Sequence, residues 1–243
     1  MIGDRPVLTD RSDDLSILSL QGKDSPRFLE NLLPSLKIGS QPYDHQEQNL
    51  FGIPVRICRV HRSTDQGFDL IAPSSQMVRL WNNLLEAGKP FEARPIGFIA
   101  SNIIRVEAGI PWYGFDMDEK TLPLEVGMEK NAISLTKGCY IGQESVARIT
   151  YRGQVQKRLS GLLIKGDLPA GKGDRIFKDE VEIGWVTSSV PSIALHCPIA
   201  LGFLRREAWD PGTTLQIGHS NSILSATVSS LPFVQSGSTF QAP

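Results

Sequence analysis

Apolar positions in the first 90 residues alternate between strand-like and helix-like spacing. A strand is predicted over residues 14–21, and Asp24 can then cap a helix whose apolar residues recur up to Leu33. Two further strands are predicted over residues 53–61 and 67–72, with a turn between them. Helical spacing resumes over residues 74–88 and stops at a glycine that is closely followed by a proline. The first part of the chain therefore mixes strands and helices.

From residue 159 the pattern changes to short apolar segments separated by Gly, Pro, Asp and Ser. These segments lie at residues 159–164, 182–186, 200–204, 214–217 and 223–228. Such spacing is typical of a compact all-β domain. We predict an α+β chain with a mixed region over residues 1–155 and a β-barrel over 156–235. The Ser-, Gly- and Gln-containing tail at 236–243 is predicted to be disordered.

Composition limits the classes of function. The 243 residues include 25 basic and 26 acidic side chains, so the net charge of −1 offers no general attraction to nucleic acid or anionic membranes. An anionic ligand must be met by a local patch of cations. The first residues do not resemble an export signal, and no apolar run approaches the roughly 20 residues of a membrane-spanning helix. We expect a cytoplasmic protein.

The three cysteines show no paired spacing. Cys58, Cys139 and Cys197 come from distant segments, which favours three independent thiols over a disulfide framework or a metal site. Cys58 and Cys197 are expected to be buried in strands. No metal site is predicted.

One octet combines a thiol with two glycines and precedes an amphipathic stretch. Its informative positions are Lys137, Gly138, Cys139, Tyr140, Gly142, Gln143 and Glu144. Both glycines suit a tight loop with left-handed backbone angles. A buried packing cysteine is the common alternative, but a loop cysteine beside a lysine and a helix N-terminus favours a reactive thiol.

A helix is also predicted to end near Glu107, because Gly109 and Pro111 follow it. The simplest interpretation is a surface charge pair between Arg105 and Glu107, ahead of a solvated loop that begins near Asp116. A carboxylate at such a position can also accept hydrogen bonds from a flat heterocycle with adjacent N–H donors, such as a pterin.

Aromatic and cationic residues near these segments are the remaining candidates for ligand contacts. Stacking surface is offered by Trp112, Tyr113 and Tyr140, although such residues often belong to the core or to its rim. The cations after the octet are Arg148, Arg152, Lys157 and Arg158. They form either a solvated helix face or a local site for anions such as the carboxylates of a folate glutamate tail.

The octet resembles the signature of the YgfZ-type folate-binding proteins of the glycine-cleavage T-protein (GcvT-like) superfamily. The resemblance continues through residues 147–148, 151–153 and 157–159, and it includes earlier and later segments at 105–114, 123–125, 184–189 and 231–233. It covers most of the chain from about residue 100 onward. Before that point the chain is similar to the family mainly in the order of its strands and helices.

The resemblance implies a fold with a central cavity and a C-terminal β-barrel, and it implies binding of tetrahydrofolate or a one-carbon derivative. It also implies support for the assembly or maintenance of iron-sulfur enzymes, including tRNA-modifying ones. Glu107 corresponds to the residue that binds the pterin, and Cys139 corresponds to the candidate functional thiol. Iron-sulfur enzymes or cluster-assembly proteins would be the partners.

One departure separates the chain from the aminomethyltransferases of the superfamily. Residues 52–56 read Gly-Ile-Pro-Val-Arg where the T-protein has an aspartate, so the acid needed for proton transfer at the folate is missing. A shifted alignment would make Asp44 or Asp65 that acid. Aminomethyl transfer is therefore the alternative function, and whether the protein is an enzyme stays open.

Overall fold

The computed structural model describes residues 7–153, 155–220 and 222–235, with the backbone alone for Lys130 and Arg152. The predicted tail at 236–243 lies outside these residues. The chain divides into two compact units, the first of which ends at Ile96 and the second of which begins at Gly97. The predicted boundary between residues 155 and 156 stays a prediction.

The first unit is a four-stranded antiparallel sheet with two helices. Its strands are β1 (Leu15–Gln21), β2 (His45–Leu50), β3 (Ile53–Arg59) and β4 (Gly67–Pro73), and its helices are α1 (Ser25–Leu32) and α2 (Met77–Ala87). Short 3-10 turns occupy Ser74–Gln76 and Lys89–Phe91. The strand order in the sheet is β1-β4-β3-β2.

Alternation along β3 decides which face of this sheet is buried. Ile53, Val55 and Ile57 are at most 1% exposed, while Pro54 and Arg56 between them face outward. The buried residues join one apolar cluster with Leu29 of α1, Leu80 of α2 and apolar residues of β4. Each such side chain contributes about 1.5–3 kcal/mol when it is fully buried. The two-residue period of the strand therefore places the core on one side of the sheet.

The second unit begins with a helix and ends in a barrel. Its helices are α3 (Phe98–Glu107), α4 (Glu129–Ala132) and α5 (Gln143–Arg152), and 3-10 turns lie at Pro123–Glu125 and Arg206–Ala208. Its strands are β5 (Lys157–Ile164), β6 (Arg175–Lys178), β7 (Val181–Ser192), β8 (Cys197–Arg205), β9 (Thr214–His219) and β10 (Ser222–Ser229). They close into an antiparallel barrel in the order β10-β5-β8-β7-β6-β9.

The barrel packs on both of its faces. Its interior is filled by residues such as Leu162, Ile176 and Ile217. A second cluster on β5, β7 and β8 packs against Val106 of α3 and against Leu231 and Phe233. Glycine at position 161 permits this contact, because an added Cβ would lie 2.8 Å from the Phe233 ring. The cluster fixes the C-terminal end of α3 against the barrel.

The predicted fold class is confirmed, namely a mixed N-terminal part followed by a C-terminal β-barrel. Two strands were not predicted. The sequence of β2 is almost entirely polar, and β6 has only four residues. Strand β7 runs on to Ser192, well beyond the predicted segment at 182–186. Within the described ranges, no helix combines the length and apolar character needed to cross a bilayer.

Candidate functional site

Glu107 lies at the last position of α3, and the tip of the β7–β8 hairpin holds one of its carboxylate oxygens. Oε1 accepts a hydrogen bond of 2.6 Å from the Ser192 hydroxyl and one of 3.1 Å from the Ala194 amide. The Glu107 carbonyl accepts hydrogen bonds from the amides of Phe233 and Val234. Among the described residues no donor reaches Oε2, so one oxygen is fixed and the other is available.

The predicted surface pair between Arg105 and Glu107 is wrong. Arg105 is 1% exposed, and its guanidinium donates to the carboxylate of Asp116, to Ser188 Oγ at 2.7 Å and to Asn102 Oδ1 at 2.9 Å. Asp116 is also 1% exposed, which contradicts its predicted place in a solvated loop. Burial lowers the pKa of Arg105, and the Asp116 carboxylate opposes that shift. Glu107 is thus left without a cationic partner on its own helix.

Two predicted aromatic contacts differ in their exposure. Trp112 packs against Phe98 and Phe115, with ring centroids 5.6 and 6.0 Å away, and Arg105 lies 4.8 Å from its ring. Trp112 therefore belongs to a fixed aromatic cluster. Tyr113 is 66% exposed, and its hydroxyl donates to Glu119 at 3.0 Å. Trp112 is half-buried and Tyr113 is exposed, so Tyr113 is the more accessible of the two rings.

The octet forms a loop that is closed by Ser134. The Ser134 hydroxyl accepts the Lys137 amide at 3.1 Å, and its carbonyl accepts the Tyr140 hydroxyl at 2.9 Å. The Lys137 ammonium lies 4.8 Å from the Tyr140 ring. Cys139 is exposed on this loop, and the reactivity of its thiol stays a prediction.

Only one octet glycine has the predicted left-handed backbone. Gly142 has φ +90° at the start of α5, whereas Gly138 does not have a positive φ. The expectation for Gly138 was therefore wrong. Gln143 and Glu144 open α5, where Glu144 pairs with Arg148 at 2.9 Å across one turn.

The predicted cations do not form one cluster of free charges. Arg148 is paired with Glu144 on the surface of α5, Arg158 is exposed, and the side chain of Arg152 is outside the described part. The Lys157 ammonium lies 3.8 Å from the Glu125 carboxylate and 4.7 Å from the Phe203 ring. Lys157 also lines a shallow recess on the barrel, together with Arg175, Arg205, Glu182 and Trp185.

The other two thiols differ from Cys139. Cys58 in β3 and Cys197 in β8 lie in strands as predicted, but they are half-buried rather than buried. Burial raises the pKa of both thiols, and the nearby Asp69 carboxylate raises the pKa of Cys58 further. Both are therefore weaker nucleophiles at neutral pH than ordinary cysteines. In the described ranges, no group of three or more His, Cys, Asp or Glu side chains could hold a metal ion.

The segment where the T-protein acid was expected forms the β2–β3 hairpin. Gly52, with φ +76°, makes its turn, and Val55 is 1% exposed in the core of the sheet. Of the alternative acids, Asp44 accepts the Gln41 amide at 2.8 Å, and Asp65 lies between β3 and β4. In the predicted alignment, the position of the acid thus carries an apolar core residue, Val55, and Asp44 and Asp65 stay the alternative acids.

Sequence reasoning missed the residues that contact Glu107. Ser192 and Ala194 are 85 and 87 positions away from it along the chain. The only signal near them was the resemblance at residues 184–189, which ends before the hairpin tip. Strand β7 continues to Ser192, and this extension brings the hairpin tip to Glu107.

Comparison with known proteins places both parts of the chain in one family. The family model of the GCVT N-terminal domain matches residues 3–137, and that of the glycine cleavage T-protein C-terminal barrel domain matches residues 157–235. An aminomethyltransferase of Chlorobium luteolum is 31% identical over 236 residues, which are 96% of this chain and 63% of that protein. An aminomethyltransferase of Halothermothrix orenii is 31% identical over 95% of this chain and 64% of its own length. The chain thus spans a little over three fifths of these relatives.

A solved structure agrees at the level of the fold. The crystal structure of the glycine cleavage system aminomethyltransferase T from Bartonella henselae matches with a TM-score of 0.77 and 22% identity, over 91% of this chain and 60% of that one. The N-terminal family model alone covers more than half of the sequence. The chain therefore belongs to the glycine-cleavage T-protein (GcvT-like) family.

Proposed function

We propose that the protein binds tetrahydrofolate or a one-carbon derivative and supports the assembly or maintenance of iron-sulfur enzymes, including tRNA-modifying ones. The observation that carries the binding part is the Glu107 carboxylate, with Oε1 fixed by the hairpin tip and Oε2 available. Family membership supports the same ligand. The iron-sulfur role rests on the resemblance of the octet to YgfZ-type proteins.

The chemistry of Glu107 suits the pterin edge. A pterin presents a ring N–H beside an amino group, and a carboxylate accepts such donors in short, charge-assisted hydrogen bonds. Arg105 is committed to Asp116, so the negative charge of Glu107 is not cancelled by its helical neighbour. The group at the end of α3 is therefore an anionic acceptor, as this ligand requires.

The predicted aromatic contacts differ in what they can offer a ligand. Tyr113 offers an exposed ring for stacking, whereas Trp112 is held within the aromatic cluster. Tyr140 is held by Ser134 and shapes the octet loop.

The cations are candidate contacts for the glutamate tail, and their present partners differ. Arg158 is exposed, and Arg148 would exchange the Glu144 carboxylate for one of the ligand, at little cost for an exposed pair. Lys157 and Arg152 complete the set of candidates. Cys139, exposed on its loop, is the thiol available for chemistry with a partner protein.

Aminomethyl transfer is the second candidate function, because the relatives in two of the comparisons carry that name. The residue at the expected position of the acid argues against aminomethyl transfer. Val55 there is an apolar residue of the sheet core and cannot transfer a proton. We therefore rank support of iron-sulfur enzymes first and aminomethyl transfer second.

Calorimetry with tetrahydrofolate tests the binding part. Glu107→Gln keeps the shape of the side chain and removes its charge, so we expect binding about 10- to 100-fold weaker than wild type, the range for a lost hydrogen bond to a charged group. Glu86→Gln, at an exposed carboxylate of α2, is the matched control and should bind as wild type does. Absence of binding by the wild type would refute the proposal.

Two assays then separate the candidate functions. The first measures transfer of an aminomethyl group from a carrier protein to tetrahydrofolate, and we expect no turnover. The second measures the activity of iron-sulfur enzymes in cells that lack this protein, where we expect a loss that wild type restores and Cys139→Ser does not. Turnover in the first assay with no loss in the second would establish the aminomethyltransferase instead.

A further inference from the structure

The hydrogen bonds at the β7–β8 hairpin tip have a fixed direction. The Leu195 amide donates to Ser192 Oγ at 3.1 Å, and Ser192 Oγ lies 2.6 Å from Glu107 Oε1. An amide can only donate, so the hydroxyl proton of Ser192 is left to point at the carboxylate. Ser192 is 4% exposed, which protects this chain of hydrogen bonds from competing water.

These contacts saturate one oxygen of Glu107. An ionised carboxylate offers about four lone-pair sites, two on each oxygen. The Ser192 hydroxyl and the Ala194 amide occupy both sites on Oε1. A ligand that binds without breaking the hairpin contacts must use Oε2 alone. This differs from the expected two-oxygen pairing with a pterin.

We propose that Ser192 is a positioning residue that makes Glu107 present a single oxygen, Oε2, to the donors of the ligand. This inference rests on the proposed folate binding. Ser192 does not itself touch the ligand. It prevents rotation of the carboxylate, so that the lone pairs of Oε2 keep one direction and favour a ligand with its amino and N–H donors at the matching positions.

The consequence is selectivity as well as affinity. A ligand without the amino donor leaves part of Oε2 unpaired, and a fixed carboxylate cannot turn to compensate for the loss. Without the Ser192 hydroxyl the carboxylate can rotate, so the difference in affinity between the matching ligand and the ligand without the amino donor should become smaller. A purely structural role for Ser192 would leave that difference in affinity unchanged.

The test compares two ligands on the full chain as wild type, as three Ser192 variants and as one control variant. Calorimetry with tetrahydrofolate and with its 2-desamino analogue gives an affinity ratio for each protein. We expect Ser192→Ala to bind tetrahydrofolate about 10-fold more weakly, as follows from the loss of one hydrogen bond to a charged group. Its affinity ratio between the two ligands should fall most of the way towards one. Ser192→Thr keeps the hydroxyl and should restore the ratio, and Ser192→Cys, with a weak donor of similar shape, should not.

Ser189→Ala is the matched control. Ser189 lies on the same strand and makes the same number of hydrogen bonds, donating to the Ile199 carbonyl at 3.0 Å and accepting the Ala170 amide at 3.1 Å, but it does not contact Glu107. Its ratio should equal that of wild type. If wild type binds tetrahydrofolate and the ratio of Ser192→Ala and Ser192→Cys is unchanged, the positioning role is refuted while folate binding stands. If wild type does not bind tetrahydrofolate, the positioning role and the proposed folate binding are both refuted.

Discussion

The buried ion pair between Arg105 and Asp116 gives the sharpest prediction for stability. We consider Asp116→Ala, which removes the acceptor for four groups: the Arg105 guanidinium, the Trp112 amide at 3.0 Å, and the hydroxyls of Thr187 and Ser188 at 2.5 and 2.7 Å. The side chains of the ion pair are 1% and 0% exposed, so water cannot replace the lost carboxylate. Arg105 would remain as an uncompensated buried charge.

Breaking a buried pair from one side costs about 3–5 kcal/mol, because the partner charge stays desolvated. In a domain of this size each kcal/mol lowers the unfolding midpoint by about 2–4 °C, so the second unit should melt roughly 10 °C earlier. Thermal unfolding followed by tryptophan fluorescence suits the measurement, since Trp112 lies against Arg105. Asp118→Ala, at an exposed carboxylate two residues later, is the control and should leave the midpoint nearly unchanged.

A double variant tests the cause of this loss. Arg105→Met combined with Asp116→Leu removes both charges and refills the space with apolar groups, so it should be more stable than Asp116→Ala alone. Two results would refute this explanation. One is a melting midpoint of Asp116→Ala within about 2 °C of wild type, and the other is a double variant that is less stable than Asp116→Ala. Either result would mean that an unpaired buried Arg105 is not the cause of the lost stability.

Two further predictions concern the thiols and the octet glycines. At neutral pH, iodoacetamide should label Cys139 before Cys58 and Cys197, because Cys139 is exposed and burial raises the pKa of the other two, which lowers their thiolate fraction. Equal rates, measured by mass spectrometry of the digested protein, would contradict this. Gly142→Ala should destabilise the start of α5 by about 1 kcal/mol because of its φ of +90°, while Gly138→Ala should be tolerated. Hydrogen exchange of the α5 amides distinguishes the two variants, and similar exchange in both would refute the backbone argument.

Periodicity predicted the elements whose side chains have one buried face. Strand β3 alternates buried and exposed residues over Ile53 to Ile57, so its two-residue period is visible in the sequence. Strand β2, with the sequence HQEQNL, forms one edge of the sheet and has a single apolar residue, so its pattern carries no such signal. The pairing of β2 with β3 depends on the backbone and on the Gly52 turn rather than on apolar spacing.

The charges were predicted less well than the apolar residues, because a sequence does not show which acid meets which base. Arg105 and Glu107 are close in sequence, and a local pair was the natural expectation. In the structure Arg105 pairs with Asp116, and Glu107 binds Ser192, which is 85 positions away. A buried arginine needs several acceptors at once, and Arg105 finds them on α3 itself, in the loop after α3 and on strand β7.

The octet is the most recognisable segment of the chain, yet most of its contacts are local. Ser134 closes the loop, and Glu144 pairs with Arg148 one turn away. Local contacts of this kind constrain neighbouring residues strongly, which makes a motif easy to recognise. Glu107 is constrained by the β7–β8 hairpin instead, so its sequence neighbourhood says little about its geometry. The Glu107 carboxylate, which is the proposed ligand contact, and the exposed Cys139 thiol are therefore positioned by separate contacts, and a substitution in one set need not disturb the other.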